Sequence, residues 1–363
     1  MFRAALLCLF ICQPLVAADW PVFRGGASMT GNGTTTLPDK LDEVWMFKCK
    51  DSIEGAPAIV GNVVYVASMD KHLYALDLAT GQQKWKVQLG SMKASPAVNK
   101  GRVYVGDLEG KFYAVDAATG AKVWTFETSG EIQAGANFFN DDILVGSHDS
   151  TLYRLAADGK KVWEFKIDGP VNGASPVIGD RTFVAGCDSL LHVIDVTTGK
   201  SLGNLDLGGQ AAATASVIDD HVYVGTMTNQ VLAVNWKTLK KSWEFESKRR
   251  QQPFYASTAV TEKYVIAGSR DKKVYAIDRA TGQEKWNFVT EGNVDASPVV
   301  VGNRVYVGCM STTAEFYVLD LNTGKQVQQL TLDSAVTGSV AVGPDCLIVG
   351  TDKGAVYRLG AKK

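Results

Sequence analysis

A chain of 363 residues with 46% hydrophobic content is long enough to bury a large core. Its formal net charge of −1 excludes the basic footprint of a nucleic-acid binder and strong electrostatic steering of any charged partner. Beyond the N-terminus no apolar run reaches the roughly 18 residues that a membrane-spanning helix needs, so none is expected there.

Residues 1–18 carry one positive charge, Arg3, then an apolar stretch, Pro14 and small residues at Val16 and Ala18. That order predicts a secretory signal peptide cleaved before Asp19. Cys8 and Cys12 stand too early, and in surroundings too bulky, to receive a lipid at the cleavage point. The expectation is an exported chain, periplasmic or extracellular and soluble after cleavage. Residues 19–42, beginning Asp19-Trp-Pro-Val-Phe-Arg-Gly-Gly26, show neither helical nor strand periodicity. They predict an extended segment anchored on the body of the fold by Trp20, Phe23 and Arg24. Packing is preferred to a ligand-facing arm, because so apolar a leader left free would be an exposed patch.

From Glu43 to Lys363 the chain is repetitive. The stretch Tyr74-Ala-Leu-Asp-Leu-Ala-Thr-Gly-Gln-Gln-Lys-Trp85 recurs as Tyr113 to Trp124 and as Tyr275 to Trp286, with weaker copies beginning at Tyr153, His192, Leu232 and Tyr317. The alternating apolar run before the Asp and the run around the Trp are β-strands. Between them the Asp can accept backbone N–H bonds, and the Gly can take the positive φ of a tight turn. Segments such as Lys93-Ala-Ser-Pro-Ala-Val98 and Gly173-Ala-Ser-Pro-Val177 open each unit, eight in all, and runs such as Arg102-Val-Tyr-Val-Gly106 follow them. Four short strands per unit at a period of roughly 40 residues predict an all-β fold, an eight-bladed β-propeller of four-stranded blades over residues 43–363. Trp45, Trp85, Trp124, Trp163, Trp243 and Trp286 are expected to dock each blade against the next. The last unit lacks its Trp strand, and the strand around Trp45 has no unit before it. Pairing the two closes the ring and removes exposed edges.

The combination of A-x-D-x-x-T-G-x-x-x-W hairpins, A-S-P first strands and a leading D-W-P-x-F-R-G resembles the quinoprotein-type, or PQQ-like, repeat propellers, a group that includes the outer-membrane-assembly lipoprotein BamB. The resemblance covers Asp19 to Lys363 and implies the fold. Functionally it points two ways, because the same repeats occur in dehydrogenases and in scaffolds. The dehydrogenases are longer, with insertions that build a quinone and Ca²⁺ site and often a disulfide between adjacent cysteines. This chain has no adjacent cysteines and no long insertion. The lipidated scaffold differs from it too, since the lipid-acceptor Cys is missing.

Candidate chemistry is sparse. His72, His148, His192 and His221 occupy unrelated repeat positions, and His192 simply stands in the Tyr column, so no metal site is expected. Asp70, Glu109, Asp149, Asp188, Asp271 and Asp352 form a ring of acids in the turns between second and third strands. They could hold cations at one mouth, but Asp is ordinary turn chemistry and the structural role is preferred. Cys49, Cys187, Cys309 and Cys346 fall in separate units or on non-adjacent strands and are expected as free thiols. No catalytic residue is nominated. The one irregular connection, Ser247 to Tyr255, carries Lys248, Arg249 and Arg250 followed by Phe254 and Tyr255, and is the candidate partner-binding loop. The expected function is a non-enzymatic propeller, monomeric or part of a larger complex, that binds an envelope protein or peptide and has no cofactor. The alternative is a compact quinoprotein dehydrogenase with PQQ and Ca²⁺ in the central funnel, where Asn172 and Asn293 are the available amides.

Overall fold

The computed structural model describes residues 19–248 and 251–362. The expected signal peptide over residues 1–18 and the pair Arg249 and Arg250 lie outside the described residues.

Eight antiparallel sheets of four blade strands are arranged as a β-propeller. Blade 1 runs from the axis outwards as Ala58–Val60, Val63–Ala67, His72–Asp77 and Gln83–Gln88, and the next six blades repeat that order. Inner strands hold only two or three residues, because blades crowd together at the axis. Second and third strands are buried along nearly their whole length, as sheets sandwiched between two neighbours must be. Outer strands alternate and face water.

Blade 8 is the seal. Its inner three strands, Ala341–Val342, Cys346–Gly350 and Ala355–Gly360, come from the C-terminus, and its outer strand, Asp42–Lys48, comes from the N-terminus. Trp45 pairs with Arg358 and Phe47 with Val356 in that ladder, as the missing-strand argument requires.

The hairpin chemistry explains the repeated Asp-x-x-Thr-Gly. In blade 1 the Asp77 Oδ1 accepts the N–H groups of Ala79 and Thr80 and the Thr80 hydroxyl. Gly81 then takes φ 72° and donates its N–H to the Asp77 carbonyl. The missing side chain serves the seam as well. A Cβ on Gly81 would come within 2.7 Å of the Trp45 ring, which lies flat on the glycine and donates its indole N–H to the Leu78 carbonyl at 3.0 Å. The same pairing joins Trp85 to Gly120, Trp124 to Gly159, Trp163 to Gly199, Trp243 to Gly282 and Trp286 to Gly324. Each Trp follows a β-bulge that turns it towards the next blade.

Two seams use other means. Gly203 stands in the Trp column of blade 4 and faces Leu239 of blade 5. In blade 7 the column residue is Gln328, whose Nε2 donates to the Leu41 carbonyl while its Oε1 accepts the Leu41 N–H at 2.9 Å. Gln328 thus grips the backbone where the chain enters the closing strand.

Residues 19–42 form no sheet of their own, their short strand Asn32–Gly33 adding in parallel to the inner edge of blade 7, yet they touch all eight blades. The carbonyls of Trp20, Pro21, Ala27, Ser28, Thr30 and Gly31 accept N–H groups from Ile59, Val98, Val177, Val217, Val260 and Val300, inner-strand residues of blades 1, 2, 4, 5, 6 and 7. Asn137 of blade 3 donates its side-chain amide to Ala27, and Thr35 donates to Pro344 of blade 8. The segment therefore circles the axis and borrows the free inner edge of each blade for its hydrogen bonds. Packing, rather than a free arm, is its role.

Candidate functional site

The A-S-P segments build the axial wall. Alanines and glycines fit where inner strands converge, and the hydroxyls among them stitch blade to blade. Ser95 Oγ accepts the Ala56 N–H, Thr214 Oγ1 accepts that of Ala174, Ser257 Oγ that of Thr214, and Ser297 Oγ that of Ser257, at 2.8–3.1 Å. Above this wall the axial channel opens into a funnel of about 840 Å³. The connections between blades and the turns between second and third strands form its rim, so both lie on one face as the repeat pattern implies.

The N-terminal segment closes the other end. Phe23 lines the base of the funnel, and the next residue, Arg24, lines a second cavity of about 370 Å³ on the leader side, its side chain reaching blades 6 and 8. Arg24 is 1% exposed; Nη1 donates to Ser339 Oγ at 3.1 Å and Nη2 to the Thr258 carbonyl at 2.9 Å. Gly31 lets the guanidinium pass, since a Cβ there would lie 2.0 Å from Nη2. Burial lowers the Arg24 pKa to about 9, so the group stays cationic at neutral pH. The funnel is therefore a cup with a cation under its floor.

Charged residues on the wall come in pairs. Arg270 makes a two-pronged contact with Asp295, its Nε 2.9 Å from Oδ1 and its Nη2 2.7 Å from Oδ2, and its guanidinium lies 4.4 Å from the Tyr255 ring centroid. Lys93 pairs with Glu54 at 3.2 Å. Asp352 accepts the Thr337 hydroxyl; burial raises its carboxyl above the ordinary range, and nearby Glu54 adds to the rise.

The expected acid ring divides on inspection. The carboxylates of Asp70, Asp149 and Asp271 accept the hydroxyls of Tyr74, Tyr153 and Tyr275, and Asp188 holds His192 Nε2 at 2.8 Å. These acids lock the second turn of their own blade to the Tyr column, and the structural reading holds. In blade 2 that task falls to the fully buried Asp107, which accepts the Tyr113 hydroxyl at 2.7 Å. Glu109 instead stays exposed against Lys111, so its place in the ring is corrected. Asp352 alone of the six lines the funnel.

The candidate loop also needs correction. Lys248 is exposed and Tyr255, 40% exposed, stands on the rim, but Phe254 is only 1% exposed and packs on Phe245 and Tyr275. Phe254 is a core residue whose ring is not offered at the surface. Of the two amides, Asn172 lines the cavity and donates to Cys187 Sγ at 3.0 Å, while Asn293 is bridged to Met310 through its backbone. His148 reaches the rim beside Glu131.

A quinone with bound Ca²⁺ would call for a free cation near its carbonyls and an acid–amide cluster. Here Arg270 and Lys93 are already engaged by carboxylates, and among the described residues no group of three His, Cys, Asp or Glu converges. The donor set does not fit that assembly.

Sequence reasoning missed the hydroxyl wall, Arg270, Asp295 and Arg24 as an axial group. The Ser of A-S-P was visible, but only as a small residue. What could have flagged Arg24 is its place in an otherwise apolar and Gly-rich leader.

A family model described as outer membrane protein assembly factor BamB matches residues 38–148 and 148–363. BamB of Shewanella oneidensis is 24% identical over 149 residues, 38% of this chain and 37% of that protein. The chain spans smaller shares still of the other curated relatives it matches. Among solved structures, BamB from Moraxella catarrhalis superposes with a TM-score of 0.75 at 20% identity, over 89% of this chain and 98% of that one. The quinohemoprotein alcohol dehydrogenase from Comamonas testosteroni gives 0.81 at 13% identity, over 95% of this chain and 81% of that one. At such identities these likenesses establish the fold alone.

Proposed function

Since the chain belongs to the outer membrane protein assembly factor BamB family, we propose that it is an exported, non-enzymatic propeller that binds or scaffolds a protein of the cell envelope. The observation that carries this reading is the funnel rim at blades 5 to 7. There the exposed Tyr255 ring lies under the Arg270 guanidinium, a few residues after the basic run Lys248-Arg249-Arg250, and exposed Met310 lines the same funnel. Aromatic, Arg and Met side chains gathered at the mouth of a concave surface are the composition of an anchoring patch, and the basic run favours an acidic partner edge. In the described residues no helix is long and apolar enough to cross a membrane.

The test is capture of envelope proteins by purified protein. Replacing Lys248, Arg249 and Arg250 together with Ala, or Tyr255 with Ala, leaves Tm nearly unchanged and weakens capture, the charge variant most at low salt. Recovery of the same partners in the same yield by both variants overturns the rim as the contact. Titration with PQQ and Ca²⁺ tests the enzymatic alternative. Saturable one-to-one binding with alcohol or sugar oxidation overturns the scaffold reading.

A further inference from the structure

The hydroxyls of the axial wall are half used. Ser95, Thr214, Ser257 and Ser297 each accept a backbone N–H from the preceding blade, yet none donates its own O–H to a protein acceptor among the described residues. All four line the funnel, and the first three are at least nine-tenths buried. A hydroxyl carries one proton to donate, so each offers a free donor towards the axis. Ser339 completes the arc differently, accepting from Arg24 Nη1 and donating to the Ser297 carbonyl. Thr214, Ser257, Ser297 and Ser339 belong to the consecutive blades 5, 6, 7 and 8.

Beneath this arc lies the Arg24 guanidinium. Its two hydrogen bonds go to neutral oxygens, its Nε has no partner, and no carboxylate of the described residues pairs with it. A buried cation without a counter-charge is costly, and a ring of donors without acceptors adds to the same positive potential. The backbone sustains the arrangement at some strain, for Arg24 itself sits at φ 63°. The carboxylates of the cavity are engaged elsewhere: Asp295 with Arg270, Glu54 with Lys93 and Asp352 with Thr337.

We propose that the funnel floor, made by the free hydroxyls of Thr214, Ser257 and Ser297 above Arg24, binds a small monovalent anion, of which a carboxylate is the matching biological group. The carboxylate can be that of a free small acid or the C-terminus of a peptide entering the cup, which at about 840 Å³ has room for several residues. This site goes beyond the rim contact and does not depend on it, since it lies at the axis and not at the blade 5–6 connection.

The wild-type protein crystallised in sodium bromide gives the first readout. An anomalous bromide peak at the hydroxyl arc is expected, and a floor without one overturns the proposal. In solution, acetate at constant ionic strength raises Tm with a saturable dependence. N-acetyl-trialanine and its C-terminal amide, compared by calorimetry, separate the sources. Binding of the acid stronger than acetate identifies a peptide end, and binding equal to acetate identifies a free anion. Equal binding of acid and amide overturns carboxylate recognition. Ser297→Ala lowers acetate affinity by about tenfold. Arg24→Gln does so at least as strongly if it folds, and the bromide experiment stands without either variant.

Discussion

Gly203 and Leu239 exchange the sizes that six other seams assign to Trp and Gly. A Cβ on Gly203 would lie 2.4 Å from Leu239 Cδ1, and Leu239 takes φ 52° at the turn position where Gly81 or Gly120 stands elsewhere. The volume at the seam between blades 4 and 5 is kept, with the large residue moved from the strand to the turn.

Gly203→Trp alone is therefore expected to lose at least about 1–3 kcal/mol from overpacking. Adding Leu239→Gly empties the opposing site and offers a flat glycine to the indole, so the double variant regains the part of the loss due to the clash and keeps the strain of a side chain at the Gly203 φ of 146°. Chemical denaturation of the four proteins in a double-mutant cycle measures the coupling, expected at about 1 kcal/mol or more. Strict additivity of the two changes would show that the seam is not a size exchange.

Closure of the ring is tested separately. Removing residues 19–48 takes away the outer strand of blade 8, the Gln328 contact to Leu41 and the backbone hydrogen bonds that the leader makes around the axis. The outer edge of Ala355–Gly360, the inner edges of the blades that the leader covers and the channel are then open. The truncated chain is expected to aggregate or to melt far below the full-length protein. Gln328→Ala, a milder break at the same junction, lowers stability by about 1–3 kcal/mol because it orphans both backbone groups of Leu41. A monomeric truncated product with unchanged Tm would disprove the closure.

The repeat made the blades, the Asp-x-x-Thr-Gly turns and the sealing strand around Trp45 legible, because each depends on a local pattern that recurs. The departures were not legible. Gly203 looks like a lost Trp until Leu239 is seen opposite it, and the two are far apart in sequence. Asp107 rather than Glu109 meets Tyr113 because the turn places the earlier carboxylate beneath the hydroxyl, a geometric fact that a count of acids does not contain. The leader satisfies its backbone through other strands' edges, which leaves no periodicity of its own to read. Arg24 reveals its role only through what surrounds it.

The cysteines offer a direct check on strand placement. Cys49, Cys187, Cys309 and Cys346 are free in the structure, and Cys187 alone is half-buried while the other three are buried. Burial raises the Cys49 thiol to about 12 and the Cys346 thiol to about 11, and it raises Cys309 and Cys187 as well. Labelling of the chain lacking residues 1–18 at pH near 8 is expected to modify Cys187 first and slowly. The other three react only after denaturation, giving four thiols in total. A disulfide found in a non-reduced digest would contradict the blade assignment.

Asp70 and Asp352 occupy equivalent turns in blades 1 and 8, yet they predict opposite responses to pH. At Asp70, burial alone would raise the carboxyl, but the Tyr74 hydroxyl and the N–H groups of Lys50 and His72 outweigh it and hold the folded pKa below the ordinary range. Its stabilising contribution is then present above the unfolded value of about 3.9 and is lost as pH falls through the folded pKa. At Asp352, burial raises the folded pKa, and the single Thr337 hydroxyl does not offset it beside Glu54. There the folded state holds the proton more tightly, so stability is highest below about pH 4 and declines as pH rises through the folded pKa. Asp70→Asn should accordingly destabilise the protein at pH 7, with a deficit that shrinks in strong acid. Asp352→Asn should stabilise it at pH 7, with a gain that vanishes below about pH 4. Tm measured from about pH 3 to 7 for both variants and the wild type decides the matter, and deficits of the same sign at neutral pH would refute the contrast between the two turns.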